Sequence, residues 1–137
     1  SDEVAQEAKV VEFCRSLNLY IFDLLITRYG QDLKNKQWVM EPYSDILISM
    51  SVLDTTIKRY IQGDDSKKSD MLDVLKLSVA NNFDSMIENA KDILSELGED
   101  DSHLLSKVNE LGYRSSKIDL KKKIYERLDK YRKYYLD

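Results

Sequence analysis

Four glycines divide this sequence into segments whose apolar residues recur every three or four positions. The glycines are Gly30, Gly63, Gly98 and Gly112, and the only proline is Pro42. Steps of three and four place apolar side chains on one face of an α-helix, whereas sheets need turn residues at shorter intervals. The pattern therefore predicts helices that end at or near the glycines.

The spacing predicts five helices joined by polar turns. The first, third and fourth span about Asp2–Tyr29, Ser69–Leu97 and His103–Leu111. The second runs from an N-cap at Asp32 to Gln62, and the fifth from Ser116 to near the C-terminus. We expect the other helices to pack on the second, whose apolar stripe is Ile46, Met50, Leu53, Ile57, Tyr60 and Ile61. In the last helix the predicted apolar side comprises Ile118, Ile124, Leu128, Tyr131 and Tyr135.

Pro42 is predicted to disturb the second helix. Inside a helix, proline removes one backbone hydrogen bond and clashes with the carbonyl four residues earlier, at a cost of about 3 kcal/mol. We therefore expect a kink or a break near Val39 to Glu41. Trp38 and Tyr43 are expected to pack into the space that it opens rather than to bind a cofactor.

Together these features predict an all-α fold, an antiparallel up-and-down helical bundle of three long helices, one short helix and a C-terminal amphipathic helix. The chain suits a single domain, residues 1–137, that buries about two-thirds of its unfolded surface. The lone cysteine, Cys14, is expected to be a small core residue in a reducing compartment. No apolar run approaches the roughly 18 residues of a membrane span, so we expect an intracellular protein, cytoplasmic or mitochondrial.

The charges are distributed unevenly along the chain. Residues 114–137 hold nine Lys or Arg against four acids, a net of +5, so the remainder carries −9 and the whole chain −4. Five cations of this segment are predicted to contact an anionic surface: Lys121, Lys122, Lys123, Arg127 and Lys130. The solvated face of an amphipathic helix docked on an acidic bundle explains the same charges, so both interpretations stay open.

The sequence contains no set of residues that can be read as an active site. Its only histidine, His103, follows Glu99, Asp100 and Asp101, whereas di-iron bundles need Glu-x-x-His pairs on two helices. We expect His103 to be a solvated residue in the first turn of its helix. No glycine-rich phosphate loop, nucleophile elbow or dinucleotide fingerprint is present. We therefore assign no catalytic, cofactor-binding or metal-binding residue.

Two stretches carry a family resemblance. The first contains Tyr29, Gly30, Gln37, Val39, Met40, Ser44, Asp45 and Ile48, and the second is the basic stretch Lys117–Ile124. They resemble the C-terminal helical region of the long-chain and very-long-chain type acyl-CoA dehydrogenases. In that family one helix closes on Lys/Arg-Tyr/His-Gly, the next carries a run such as Q-x-V-L-x-x-x-A-D-x-x-I, and a basic helix often ends the chain. The resemblance spans nearly the whole sequence.

This resemblance implies that the chain is the accessory domain that follows the core of an FAD-dependent acyl-CoA dehydrogenase of fatty acid β-oxidation. The catalytic glutamate, flavin contacts and acyl-CoA pocket of the family belong to that core, so none is transferred here. The resemblance implies an inactive fragment without a cofactor of its own, in a parent flavoprotein oxidoreductase that uses FAD. The domain would support core packing, subunit contacts or membrane contacts.

Two other functions stay open at this stage. The first is a free-standing helical protein-protein interaction module, favoured by the absence of a site and by the acidic body with its basic end. The second is a binder of anionic surfaces through the last helix. The partners under consideration are the catalytic core of the parent chain, another protein, a second copy of the chain, and a membrane surface in peripheral contact. Nucleic acid is not expected as a partner.

Overall fold

The computed structural model describes residues 2–113 and 117–136, and within them the chain forms five α-helices and no strand. The helices are α1 (Ala5–Tyr29), α2 (Gln37–Gln62), α3 (Lys68–Leu97), α4 (Ser102–Leu111) and α5 (Lys117–Leu136). Short 3₁₀ turns cover Asp2–Val4, Gly30–Asn35 and Asp65–Lys67. The predicted all-α helical bundle is confirmed.

Each of the four glycines directly follows a helix, as the sequence predicts. Gly98 and Gly112 follow α3 and α4 with φ values of 72° and 59°, in the left-handed region that a residue with a Cβ rarely adopts. The amide N–H of Gly98 donates to the carbonyls of Leu94 and Ser95 in the last turn of the helix. The glycine therefore ends α3 and donates a hydrogen bond to the carbonyls of its last turn.

The predicted break at Val39 to Glu41 is wrong, because α2 is continuous through Pro42; the predicted kink stays a prediction. The interruption lies earlier: Gly30–Asn35 forms a 3₁₀ turn, and α2 begins at Gln37 without the expected cap from Asp32. Pro42 is thus in the second turn of α2, where it deprives only the Trp38 carbonyl of a hydrogen bond. A helix tolerates this loss best near its start, where the backbone has most freedom to adjust.

The two aromatic residues beside Pro42 have different environments. Tyr43 is buried, its hydroxyl donates to Asn18 Oδ1 at 3.0 Å, and its ring lies 6.0 Å from that of Phe22. Trp38 is more than half exposed, and its ring centroid lies 5.4 Å from the Lys36 ammonium. The packing prediction is therefore confirmed for Tyr43 and wrong for Trp38, whose side chain lies largely in solvent.

The helix α3, rather than α2, is the element on which the others pack. It contacts α1, α2 and α5, whereas α2 contacts α1 and α3. The α1 and α3 helices are parallel: Glu7 pairs with Lys76 at one end, and Arg28 donates to the Leu97 carbonyl at the other. Both α2 and α5 run antiparallel to α3. The largest fully buried apolar side chains are Val10, Ile21, Leu25, Val39, Ile46, Leu53, Leu75, Val79, Met86, Ile93 and Leu94.

Cys14 lies fully buried in this core, as the sequence predicts. Burial raises the pKa of its thiol to about 12, because the apolar surroundings disfavour the thiolate. The α2 stripe is buried at Ile46, Met50, Leu53 and Tyr60, but Ile61 is exposed, so that part of the prediction is wrong. Ile61 directly follows the buried Tyr60 in the last turn of α2, so its side chain points about 100° away around the helix.

One ion pair joins α1 to α3 inside the bundle. Lys76 Nζ lies 3.1 Å from Glu7 Oε1, and the Glu7 side chain is only 2% exposed. Removing a carboxylate from water costs free energy unless a cation and hydrogen bonds compensate. Lys76 therefore stabilises the packing of Glu7 against α3.

The predicted apolar side of α5 is wrong in its orientation. Leu120 is buried and Ile124 half-buried against α3, while Ile118, Leu128 and Tyr131 are more than half exposed; the side chain of Tyr135 lies outside the described residues. Arg127 explains the orientation: its guanidinium pairs with Asp70 Oδ1 at 3.1 Å and Asp73 Oδ2 at 2.5 Å, and these bonds turn it towards α3. Lys117 adds a further ion pair with Asp84.

None of the helices in the described ranges is both long enough and apolar enough to cross a membrane.

Candidate interaction surfaces

An apolar cleft of about 510 Å³ lies between α1 and α4. Its walls are mainly Phe13, Leu17, Leu94 and Leu104, and polar groups of Glu12, Ser16, Tyr20, Asp100, His103 and Lys107 stand around it. The cleft exists because α4 runs back along α1, with Leu104 buried and the Gly112 carbonyl 3.5 Å from Gln6 Nε2. Its volume and apolar walls are typical of small-molecule sites.

His103 is exposed in the first turn of α4, as predicted, and the structure adds that it faces this cleft. Beside it, Asp100 Oδ2 accepts a hydrogen bond from Ser102 Oγ at 2.6 Å, and Asp100 Oδ1 accepts one from the Ser102 amide at 3.0 Å. These hydrogen bonds lower the pKa of Asp100, because they favour its ionised form. The carboxylate therefore stabilises the start of α4.

Within residues 2–113 and 117–136, no three or more His, Cys, Asp or Glu side chains gather closely enough to hold a metal ion. The acids that precede His103 diverge: Glu99 approaches Arg28 at 3.8 Å, and Asp100 turns to Ser102. Neighbours in sequence are thus separated by the turn that leads from α3 into α4.

The structure separates the five cations predicted to contact an anionic surface. Arg127 is engaged by Asp70 and Asp73, so its charge is already compensated within the chain. The four lysines Lys121, Lys122, Lys123 and Lys130 are exposed and form no ion pair with any described residue. The lysines therefore present their charge to solvent, whereas Arg127 holds α5 on α3.

A second surface, which the sequence analysis missed, lies along the outer edge of α1 and α2. Leu19 is 64% exposed, and Phe22, Ile26 and Leu47 are each more than two-fifths exposed. The Arg15–Asp54 ion pair at 2.8 Å and the Phe22–Tyr43 ring contact fix the register of the two antiparallel helices. This register places Leu47 at the level of Leu19 and Phe22 along the two helices. We call these four side chains, Leu19, Phe22, Ile26 and Leu47, the α1–α2 patch.

The sequence did contain a signal for this patch. Leu19, Phe22 and Ile26 are spaced three and four apart, but they are out of phase with the buried stripe Leu17, Ile21 and Leu25. A second apolar row on one helix indicates a second contact surface.

Comparisons of the chain with protein-family models, with curated proteins and with solved structures find no significant match.

Proposed function

We propose that this chain is a non-catalytic helical module that binds the surface of a folded protein through the α1–α2 patch. The observation that carries the proposal is the solvent exposure of four large apolar side chains on adjacent helices, led by Leu19 at 64%. Contiguous apolar surface on a soluble protein commonly marks a site of protein interaction. The patch has a polar border that includes the Arg15–Asp54 ion pair, which is the usual arrangement of an interface rim.

The resemblance gives this proposal a specific form, the C-terminal accessory domain of an FAD-dependent acyl-CoA dehydrogenase. The positions of the matched residues support it: Tyr29 is the last residue of α1, Gly30 follows it, and Gln37 is the first residue of α2. The partner of the patch would then be the flavin-binding core of the same polypeptide. Oxidation of the fatty acyl-CoA would take place entirely in that core, with FAD as the electron acceptor.

The coding sequence immediately upstream tests the specific form. We expect an open reading frame that continues upstream by several hundred residues and encodes a flavin-binding core. The purified full-length protein should contain flavin, and the flavin absorbance should decrease when a fatty acyl-CoA reduces it. A start codon directly before Asp2 would contradict the accessory-domain form. An upstream domain of another kind would contradict the dehydrogenase but leave the docking module.

Substitution in the patch tests docking itself. In the full-length protein, Leu19→Asp should expose the junction between this module and its partner domain, seen as faster cleavage there by a protease and a separate melting transition for the module. Ile61→Asp is the matched control, since Ile61 is 65% exposed but lies outside the patch. Equal behaviour of the two variants would contradict docking through the patch.

Attraction of an anionic surface by α5 is a second candidate function, favoured by the four exposed lysines that form no ion pair with any described residue. Binding of this kind depends on charge density and weakens with salt. Reversal of Lys121, Lys122 and Lys123 to Glu should abolish binding to vesicles that contain acidic lipids. Unchanged binding by this variant would remove the candidate.

A further inference from the structure

The side of α5 that faces away from α3 carries a second, exposed row. Ile118, Lys121, Tyr125, Leu128 and Arg132 follow one another at steps of three, four, three and four. Ile118, Tyr125 and Leu128 are 69%, 72% and 63% exposed, and both cations are exposed as well. This alternation of steps is the spacing by which one helix packs along another. The outer side of α5 is therefore patterned for a further helix.

A row with the same spacing lies on the outer side of α2. It consists of Trp38, Glu41, Asp45 and Ile48, at steps of three, four and three. Trp38 and Ile48 are each more than half exposed, and Glu41 and Asp45 are exposed between them. The row on α2 thus has apolar residues at its ends and acids in its middle, whereas the row on α5 combines apolar residues with cations.

The acidic part of the α2 row is unfavourable in a single chain. Glu41 and Asp45 are four residues apart on one helix face, where like charges destabilise by a few tenths of a kcal/mol. Neither carboxylate forms an ion pair with any residue that the structure describes. A cation supplied from outside would relieve this repulsion.

The α5 helix of the same chain is held away from the α2 row. Lys117 pairs with Asp84 and Arg127 with Asp70, so α5 lies beside residues 70–84 of α3. The Thr56–Ser78 contact shows that this part of α3 is level with the second half of α2, not with residues 38–48. A second copy in the opposite orientation is needed to bring α5 to that end of α2.

We propose that two copies of this chain associate by packing the outer row of α5 from each copy antiparallel on the outer row of α2 from the other. Antiparallel alignment places Ile118 opposite Ile48 and Lys121 opposite Asp45. It also places Tyr125 opposite Glu41 and Leu128 opposite Trp38. Apolar side chains then meet apolar ones, Lys121 lies among the carboxylates, and the Tyr125 hydroxyl faces an acceptor. A twofold pair forms the contact twice, as a closed dimer requires.

The only tryptophan of the chain, Trp38, lies in this contact and provides the readout. The 137-residue chain is followed by analytical ultracentrifugation and by tryptophan emission between about 1 µM and 1 mM, a range that covers weak and moderate dimers. With rising concentration we expect the mass to double and the Trp38 emission to shift to shorter wavelength together. A monomer throughout this range, or a dimer without the emission shift, would overturn the proposal.

Charge reversal tests the register. Lys121→Glu and Asp45→Lys should each raise the dissociation constant of the dimer about tenfold, because like charges then face each other in both copies of the contact. In the double variant the dimer dissociation constant should return to within about threefold of that of the unmodified chain, a difference of less than about 1 kcal/mol. The controls are Lys130→Glu and Asp92→Lys, exposed reversals outside both rows, with circular dichroism confirming that every variant folds. A double variant as weak as the single ones would overturn the proposed register.

Discussion

The bundle of α1, α2 and α3 and the helix α5 are held by different interactions. In the bundle, side chains such as Ile21, Ile46 and Leu53 are fully buried. The α5 helix touches α3, where it buries Leu120 and relies on ion pairs made by Arg127 and Lys117. The bundle is thus stabilised mainly by apolar burial, and α5 by charge with a small apolar contact.

This difference has consequences for function. A helix held by few apolar contacts opens more readily than a core helix, and its ion pairs weaken in salt. The surface cations and the exposed outer row also belong to α5, so a helix with few apolar contacts carries much of the surface available to partners. The bundle supplies the scaffold that positions it.

The largest expected effect comes from shortening a core leucine. Leu53→Ala should reduce the free energy of unfolding by about 3 kcal/mol, because it leaves a cavity at a fully buried site. Leu120→Ala, the matched change in α5, should cost about 1 kcal/mol, since α5 can settle against α3. Urea unfolding followed by circular dichroism measures both, and equal costs would contradict the comparison.

A smaller loss is expected when the buried ion pair is broken. Lys76→Met should destabilise the protein by about 2 kcal/mol, because the carboxylate of Glu7 then stays buried without its cation. The double variant Lys76→Met with Glu7→Gln should recover part of the loss, since no charge is left buried. If the single and double variants are equally stable, the pair does not stabilise the α1–α3 contact.

Loss of Arg127 should affect α5 and spare the bundle. Arg127→Leu leaves the nearly buried carboxylate of Asp73 without its partner, and we expect a cost of about 1 kcal/mol. Trypsin should then cleave after Lys121, Lys122 and Lys123 several-fold faster, while the cooperative unfolding of the bundle is little changed. Lys130→Leu is the control, because Lys130 has no ion pair with any described residue; equal acceleration in this variant would exclude a special role for Arg127.

The smallest effect is local and depends on pH. Hydrogen bonds from Ser102 lower the pKa of Asp100 in the folded chain, so their contribution is present above the ordinary pKa of an aspartate and is lost as the pH falls through the lowered value. The start of α4 should therefore loosen only in acid, seen as a change in the Ser102 amide resonance during an NMR titration. In Asp100→Ala the Ser102 amide resonance should lie at neutral pH where it lies in acid in the unmodified chain. An unchanged Ser102 resonance in this variant would show that Asp100 does not stabilise the start of α4.

The helices and their glycine ends could be predicted because they depend on local sequence. The orientation of α5 could not, since it has two apolar rows, and the choice between them is made by Asp70 and Asp73 on a different helix. The uninterrupted path of α2 through Pro42 depends on where the preceding turn ends, which apolar spacing does not reveal. The α1–α4 cleft likewise depends on the direction in which the chain leaves Gly98.

Of the candidate surfaces, the sequence indicated the exposed lysines of α5 and missed the α1–α2 patch. The lysines were identifiable because charge clusters are visible without a structure. The second apolar row on α1 was visible in the sequence, but its exposure was not, because Leu19, Phe22 and Ile26 are as apolar as the core stripe beside them. Only the placement of α2 shows which row is covered.

Native-state hydrogen exchange measured at low and high salt tests the contrast between bundle and α5 most directly. The account predicts that amides of α5 exchange through a local opening whose free energy is clearly below that of global unfolding and falls further in high salt, while amides of α1, α2 and α3 exchange only with global unfolding. Equal protection of α5 and the bundle, with no effect of salt on α5, would contradict it.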